Sequence, residues 1–258
     1  MIFLAGSTGM AGTSILRFLL DNFPAAKIRA ACHKTGPVIL HKQVECVYGD
    51  LMSMDDSRRM AKGCDCAIMA AANAGGAAFI KTFPWEHMRE NLMLNMRMLE
   101  AFRLENVKRI IFIGSATLYQ EFDGNIKEED IDLNKEPHQA YFAYAWGMRF
   151  TEKLCEFLNQ RYKVEIVIVR AANIFGPYDK FNPEVSNFIP AIIRKAVDKM
   201  DPFEVWGSPD VTRDVVYSED FARAIASIIH NKEIKFDIFN IGSGAKTTFG
   251  VRNIKTYE

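Results

Sequence analysis

The chain of 258 residues has the composition of an ordinary globular protein, with 49% hydrophobic and 25% charged residues. Its 32 basic and 32 acidic side chains give a formal net charge of zero, which argues against nucleic acid or an anionic membrane surface as a partner, because both attract basic proteins. No apolar run approaches the roughly 20 residues that a membrane-spanning helix needs.

The chain begins with a predicted strand that runs directly into a glycine-rich turn. Residues 1–5 are apolar, the sequence GSTGMAG follows, and residues 13–20 have an amphipathic helix pattern. In such a unit the glycines let the backbone approach a pyrophosphate, and the helix N-terminus offers it free N–H donors. The predicted phosphate-binding residues are Gly6, Ser7, Thr8, Gly9, Met10 and Gly12. Because a strand starts the chain, we expect no signal peptide.

Strands and helices alternate along the rest of the chain, which predicts an α/β fold with a Rossmann-type, doubly wound parallel sheet. The predicted strands cover residues 28–31, 44–48, 66–69, 109–113, 165–169 and 237–240, and the predicted helices cover residues 54–62, 85–104, 141–162 and 221–230. Prolines 177, 183 and 190 mark a less regular stretch. We therefore expect a dinucleotide-binding domain over residues 1–170 and a substrate-binding lobe, interleaved with the last Rossmann elements, over residues 171–258.

Several segments behind the glycine turn occur in the order that is typical of one family. They are AAANAGG at 70–76, GPYDKFNP at 176–183, FIPAIIRK at 188–195, VWGSPDVTRD at 205–214 and YSEDFA at 217–222. From residue 1 to about residue 244 the chain resembles the extended short-chain dehydrogenase/reductases, which include nucleotide-sugar epimerases, dehydratases and reductases. Within them it looks most like the GDP-fucose synthases. The resemblance implies an NAD(P)-dependent enzyme with a nucleotide-sugar substrate.

The residues after the predicted strands indicate which dinucleotide is bound. A carboxylate after the second strand would bind the ribose 2′-hydroxyl of NAD, but His33 and Lys34 stand there. Both suit a 2′-phosphate, so NADP(H) is favoured and NAD(H) is possible, although they could also be solvated loop residues. Asp50 and Leu51 form the turn that meets the adenine in the family, or a plain turn at a strand end. The resemblance adds Ala70, Ala71, Ala72, Tyr144, Met148, Ala171, Asn173 and Ile174 to the cofactor site.

The resemblance also implies a hydroxyl residue and a tyrosine as reacting groups. Ser115 occupies the hydroxyl position, although its sequence context also permits a helix N-cap. Tyr144 is a better candidate than Tyr141, because Ala145 and Glu152 follow it as in the family pattern YAxxKxxxE. Tyr144 is expected to exchange a proton with the sugar oxygen that Ser115 binds.

Met148 stands where that pattern has its lysine. The lysine would bind the nicotinamide ribose and lower the pKa of the tyrosine; a charge about 4 Å from a phenolate contributes roughly 4 kcal/mol at an effective dielectric constant of about 20. We therefore expect severe impairment of steps in which Tyr144 acts as a base, whereas neutral Tyr144 can still donate a proton during reduction. Met148 is either an introduced substitution, which its matched length favours, or a natural variant.

Other departures from the family pattern narrow the reaction. Thr117 and Asn187 occupy the positions of the Cys and His that perform epimerisation in GDP-fucose synthases, and both are poor acid–base groups near neutral pH. Keto reduction and 4-epimerisation therefore remain open, while double epimerisation is in doubt. Ala116 and Thr117 replace the acidic residues of the dehydratases, which makes dehydration a poor interpretation.

The resemblance places Ser115, Asn173, Asn187, Lys195, Trp206 and Arg213 at the substrate. Lys195 and Arg213 suit diphosphate oxygens, although Arg213 could equally pair with Asp214 at the surface. The sequence thus predicts an NADP(H)-preferring reductase or epimerase that acts at C4 of a GDP- or other NDP-hexose. The alternative is a catalytically silent paralogue that binds cofactor or nucleotide sugar.

The C-terminal residues and the five cysteines give the last expectations about subunits, location and metal binding. Residues after 240–244 (NIGSG) show no amphipathic helix, so the substrate lobe is expected to be incomplete or closed by another subunit. Exposed apolar surface would then favour a homodimer through the helices at 85–104 and 141–162. Five scattered cysteines without a CxxC pair indicate reduced thiols, a cytoplasmic location and no metal site.

Overall fold

The computed structural model describes residues 1–75, 77–182, 185–203, 205 and 211–248. Its strands are β1 (Ile2–Ala5), β2 (Ile28–Cys32), β3 (Val44–Tyr48), β4 (Cys66–Met69), β5 (Arg109–Ser115), β6 (Glu165–Ala171), β7 (Asn173–Phe175), β8 (Thr212–Arg213), β9 (Val215–Tyr217), β10 (Phe236–Ile241) and β11 (Thr247–Thr248). Its helices are α1 (Met10–Asn22), α2 (Met54–Ala61), α3 (Ala77–Thr82), α4 (Pro84–Leu104), α5 (Phe142–Tyr162), α6 (Phe188–Val197) and α7 (Ser218–His230).

Seven strands form one parallel sheet in the order β3-β2-β1-β4-β5-β6-β10. The inner strands are apolar runs buried on both faces, as expected for a parallel sheet that helices cover on both sides. The strand order reverses between β1 and β4, and ligands of open α/β sheets bind at such a point, outside the carboxyl ends of the strands. The predicted α/β fold is therefore confirmed.

Helices cover both faces of the sheet and create two apolar clusters. On one face, α1 and α7 pack together through residues such as Ile15, Leu19, Phe221 and Ile225. On the other face, α4 packs against both α2 and α5. Helix α7 and strand β10 follow residue 170 and also belong to this layered core. The division into two domains stays a prediction.

The strand bounds agree with the sequence prediction better than the helix bounds do. β3 and β4 begin and end as predicted, while β5 and β6 each extend two residues further. Helix α7 begins at Ser218 instead of Phe221. The prediction missed α3, α6 and the short strands β7, β8, β9 and β11. Residues 247–248 pair with β8, and the last ten residues lie outside the described part of the chain.

A buried ion pair joins the C-terminal part of β6 to α5. The Arg170 guanidinium donates to both carboxylate oxygens of Glu152, at 2.9 and 2.8 Å, and both side chains are buried. It also donates to the Tyr119 hydroxyl at 2.5 Å and to the carbonyl oxygen of Glu128 at 2.9 Å. Glu152, the last residue of the family pattern around Tyr144, therefore holds the sheet to the helix that carries the tyrosine.

The cysteines carry free thiols, four of them buried. Burial raises the pKa of Cys66 to about 11 and also raises that of Cys155, so these thiols are poor nucleophiles near neutral pH. Within the described ranges, no helix is long and apolar enough to cross a lipid bilayer.

Candidate active site

The glycine turn after β1 leaves no room for side chains on its inner side. Gly6 has φ +82°, and a Cβ there would lie 2.5 Å from the carbonyl oxygen of Ala70. A Cβ on Gly12 would clash with the backbone of Gly6. The Ser7 hydroxyl donates to the carbonyl oxygen of Ala31 at 2.8 Å and ties the turn to β2. The turn thus has the close backbone packing that a dinucleotide-binding unit requires.

A cleft of about 850 Å³ opens beside this turn, where the strand order reverses. Its volume lies within the range of ligand pockets, roughly 300–1,000 Å³. Gly9 immediately precedes α1, whose first N–H groups have no partner inside the helix. The predicted residues that line the cleft are Gly6, Thr8, Gly9, His33, Asp50, Leu51, Ala70, Ala71 and Ala72. The cleft therefore fits a dinucleotide in shape and in the donors near its phosphate position.

Asp50, in the turn after β3, has features of both interpretations, a cofactor contact and a plain strand-end turn. Asp50 lines the cleft, and its Oδ1 accepts the N–H of Met52 at 2.9 Å. Its own N–H donates to Asp56 at 2.9 Å. The Arg59 guanidinium, this N–H and, more weakly, His33 hold the pKa of the Asp56 carboxyl below its usual range. Asp50 thus shapes a strand-end turn and also faces the cleft.

Several lining residues were missed by the sequence analysis. They are Ala31, Cys32, Gly49, Met52, Asn73, Arg89, Glu90, Met93, Leu94 and Lys180. Asn73 donates to Glu90 at 2.6 Å and accepts, through its carbonyl oxygen, a hydrogen bond from Asn91 at 3.1 Å, so α4 is fixed against the end of β4. A polar position on a long helix carries no sequence signal for this contact, because it depends on tertiary packing.

Ser115 lies at the carboxyl end of β5, beside Ala171 of β6 in the strand register. Its Oγ lies 2.9 Å from the Thr117 hydroxyl and accepts the Thr117 N–H at 3.2 Å. Ser115 therefore caps the short 3₁₀ turn Ala116–Leu118, as the alternative interpretation predicted. Its position at the sheet edge is also compatible with a role toward a bound sugar.

The Tyr144 ring packs against a buried histidine. The ring centroids of Tyr144 and His87 are 4.6 Å apart with a 40° tilt. Burial lowers the pKa of His87, and the nearby backbone of Asn73 in the cleft wall partly opposes this shift. Burial raises the pKa of Tyr144 to about 12. At neutral pH the phenol is therefore protonated, and it can donate a proton far more readily than accept one.

Met148 is a core residue one helical turn after Tyr144. It is 3% exposed and belongs to the apolar cluster between the sheet and α5, against which Tyr144 also packs. A thioether cannot stabilise a phenolate as an ammonium group would. Among the residues that the structure describes, no cation offsets the effect of burial on the pKa of Tyr144.

The predicted substrate residues that the structure describes lie apart from the cleft lining. Asn173 donates to the carbonyl oxygen of Asp214 at 3.0 Å, and exposed Arg213 donates to that of Thr212. The Asp214 carboxylate accepts hydrogen bonds from Ser243 and Gly244, so the structure does not support the surface pair of Arg213 with Asp214. Asn187 is exposed before α6, Lys195 lies in the last turn of α6, and Trp206 lies outside the described residues.

Some predicted cofactor residues also lie outside the cleft lining. They are Ser7, Met10, Gly12, Lys34, Tyr144, Met148, Ala171, Asn173 and Ile174. Ser7 and Gly12 support the glycine turn from behind, as described above. The structure therefore brings together the glycine turn, the ends of β2 to β4 and the start of α4, with the Tyr144 ring packed on His87 of α4.

Comparisons with known proteins agree with this architecture. Residues 2–242 match the sequence model of the NAD dependent epimerase/dehydratase family. The chain is 28% identical to GDP-L-fucose synthase of Sinorhizobium fredii, over 95% of this chain and 75% of the relative. It is 29% identical to GDP-mannose 3,5-epimerase 1 of Oryza sativa subsp. japonica, over 94% and 64%. The fold matches dTDP-glucose 4,6-dehydratase of Streptomyces venezuelae, solved with NAD and TYD bound, with a TM-score of 0.81, 21% identity and coverage of 96% and 77%.

Proposed function

Because the chain belongs to the NAD dependent epimerase/dehydratase family, we propose that it is an NAD(P)-dependent reductase or epimerase acting at C4 of a nucleotide hexose. The observation that carries this proposal is the glycine-lined cleft at the switch point of the sheet, with the Tyr144 ring packed on His87 of α4, the helix that also lines the cleft. Glycines in tight backbone contact at this place serve a diphosphate-containing ligand. The cleft and the tyrosine together supply a binding site and a proton donor.

The cofactor of the proposed enzyme is NADP(H), with NAD(H) as the second choice. When bound, the nicotinamide supplies or removes the hydride at C4. His33 lines the cleft directly after β2, where an NAD-specific site would carry a carboxylate for the ribose. Lys34 is exposed next to it and is a second candidate for a 2′-phosphate contact.

The side chains at the sheet edge support reduction better than oxidation. Tyr144, with a pKa near 12, would donate its proton to the sugar oxygen, and the Ser115 hydroxyl would hold that oxygen by a hydrogen bond. Abstraction of a proton by Tyr144 requires the phenolate, which burial beside Met148 disfavours. A slow reduction of a 4-keto sugar is therefore the favoured reaction of the chain as it stands.

A GDP sugar is the favoured substrate. The curated relatives that cover most of this chain include a GDP-L-fucose synthase and a GDP-mannose 3,5-epimerase. Lys195 and Arg213 are proposed for the substrate diphosphate, because a guanidinium fork or an ammonium group suits its oxygens. Thr117 and Asn187 are poor proton carriers at neutral pH, so double epimerisation is not part of the proposal.

The second candidate function is cofactor or nucleotide-sugar binding without turnover. Met148, buried in the apolar cluster one turn from Tyr144, favours it, because this position would carry the activating charge in the family pattern. The binding role needs the cleft but not the proton transfer.

A binding and turnover assay separates the two functions. We expect the chain to bind NADPH by calorimetry and to reduce a GDP-4-keto-6-deoxyhexose slowly. Tyr144→Phe should abolish the reduction while the affinity for NADPH changes less than about threefold, since Tyr144 lies outside the cleft lining and the variant removes only its hydroxyl. Failure to bind NADPH, NADH or their oxidised forms would refute the proposal. Binding without turnover, unchanged after Met148→Lys, would favour the binding protein.

A homodimer is also part of the proposal. Trp85 and Met96 on α4 and Phe150 and Phe157 on α5 are between 45% and 60% exposed. The members of each pair lie eleven or seven residues apart, which places them on one face of their helix. Exposed apolar faces on two helices that pack together, as α4 and α5 do, mark protein interaction sites. Because all five cysteines carry free thiols, we also propose a reducing compartment, the cytoplasm.

We expect light scattering at micromolar concentration to give twice the mass of one chain. The double variant Phe150→Glu with Phe157→Glu should be monomeric, because four carboxylates would be buried in a symmetric interface. Leu40→Glu is the control, since Leu40 is an exposed apolar residue (82%) in the loop between β2 and β3 and belongs to neither helix. A monomeric unmodified chain would contradict the dimer.

A further inference from the structure

Lys180 enters the cleft from a part of the chain far from its other walls. The remaining lining residues lie between Gly6 and Leu94, whereas Lys180 belongs to the segment after β7. Its Nζ donates to the carbonyl oxygen of Ala74, just beyond β4, at 2.5 Å. In the same segment the Tyr178 hydroxyl accepts a hydrogen bond from Arg17 of α1 at 3.5 Å. The segment therefore contacts both α1 and the residues after β4.

Among the residues that line the cleft, no carboxylate forms an ion pair with the Lys180 ammonium group. The lining contains the carboxylates of Asp50 and Glu90, and the guanidinium of Arg89 pairs with Glu90 at 3.3 Å. The partner of the Lys180 ammonium is a carbonyl oxygen, which carries no net charge. The adjacent Asp179 accepts the backbone N–H of Lys180, and burial raises the pKa of its carboxyl. Without Lys180, the lining would carry two carboxylates and one guanidinium group, so a diphosphate entering the cleft would meet a net negative charge.

We infer that Lys180 binds a phosphate oxygen of the dinucleotide, exchanging the carbonyl oxygen of Ala74 for the diphosphate. This inference rests on the proposed function, because it requires a dinucleotide in the cleft. The long side chain with three rotatable donors allows the exchange without a change in the backbone. The chain thus supplies a positive charge to the cofactor from the segment after β7, although residue 148 of α5 carries none.

The test is the affinity for NADPH in the full chain, measured by calorimetry. We expect Lys180→Met and Lys180→Gln to weaken binding roughly 10- to 100-fold, the effect of losing a charge-assisted hydrogen bond. Lys180→Arg should remain within about threefold of the unmodified chain, because it keeps the charge. Between about 50 and about 300 mM NaCl the affinity of the unmodified chain should fall more steeply than that of Lys180→Met, since salt screens the contact.

Lys232→Met is the matched control. The Lys232 ammonium also donates to a backbone carbonyl oxygen, that of Ile229 at 3.0 Å, but it lies after α7 and before β10, at the opposite edge of the sheet. Its removal should leave the affinity unchanged. Equal affinity and equal salt dependence in Lys180→Met, Lys180→Gln and the unmodified chain would overturn the inference and leave the proposed function intact. Absence of NADPH and NADH binding in the unmodified chain would instead overturn both.

Discussion

Replacing Met148 by lysine is expected to raise turnover roughly 100- to 1,000-fold. Residues 144 and 148 lie one turn apart on α5, so the new ammonium group would stand beside the phenol. At about 4 Å and an effective dielectric constant near 20, it would stabilise the phenolate by roughly 4 kcal/mol. The pKa of Tyr144, now raised to about 12 by burial, would fall accordingly. A steady-state assay in the oxidative direction, with NADP⁺ and the 4-hydroxy sugar, measures the gain, because Tyr144 must act as the base in that direction.

The pH dependence of the rate should show in which direction the pKa of Tyr144 shifts. In the unmodified chain the phenolate becomes common only as pH approaches 12, so any step that needs it should still accelerate with rising pH at pH 9. In Met148→Lys the same rise should be complete at lower pH, because the cation lowers the pKa of the phenol.

Two controls separate charge from size at residue 148. Met148→Leu keeps the apolar character and should leave the rate unchanged, and Met148→Lys combined with Tyr144→Phe should lose the gain. Because a lysine at a buried position costs desolvation, the circular dichroism spectrum and the melting temperature of each variant must be recorded. A folded Met148→Lys that binds NADPH without a faster reaction would show that Tyr144 is not the proton-transfer residue.

Arg170→Met is expected to lower the free energy of unfolding by about 3–5 kcal/mol. The substitution would leave the Glu152 carboxylate buried without the guanidinium that satisfies both of its oxygens. It would also remove the hydrogen bonds from Arg170 to Tyr119 and to the backbone of Glu128. Equilibrium unfolding in guanidinium chloride, followed by circular dichroism, measures the loss.

The double variant Arg170→Met with Glu152→Leu tests the cause. Replacing both charges by apolar groups avoids an unpaired buried carboxylate, so the double variant should be more stable than Arg170→Met alone. The exposed pair of Lys153 and Glu156 on the same helix provides the contrast, because Lys153→Met should cost less than about 1 kcal/mol. Similar losses for Arg170→Met and Lys153→Met would contradict the importance of burial.

The regular elements of the core could be predicted from the sequence, but those of the lobe could not. Strand β4 is an apolar run and β3 is apolar apart from Glu45. Both are followed by turn residues or small residues, so their limits are visible. Helix α6 was missed because Pro190 indicates a loop, yet Pro190 is the third residue of that helix, where the missing N–H has no partner to lose. Helix α3 follows a run of small residues that has no amphipathic period.

Some residues of the candidate site could also be predicted from the sequence, and others could not. The glycine turn, Asp50 and Ala70–Ala72 were found because parallel strands bring their carboxyl ends to one edge of the sheet. Arg89, Glu90 and Lys180 were not found, because tertiary packing alone brings them to that edge. The sequence also showed the missing lysine at Met148, but the elevated pKa of Tyr144 follows from burial, which appears only in three dimensions.

The packing of α1 against α7 has a consequence for synthesis in the cell. The helix that starts at the glycine turn is synthesised roughly 200 residues before its apolar partner α7. At roughly 5–20 residues per second, Ile15 and Leu19 would wait many seconds for Phe221 and Ile225. Nascent chains of this protein should therefore offer the hydrophobic stripe of α1 to chaperones until α7 has been synthesised.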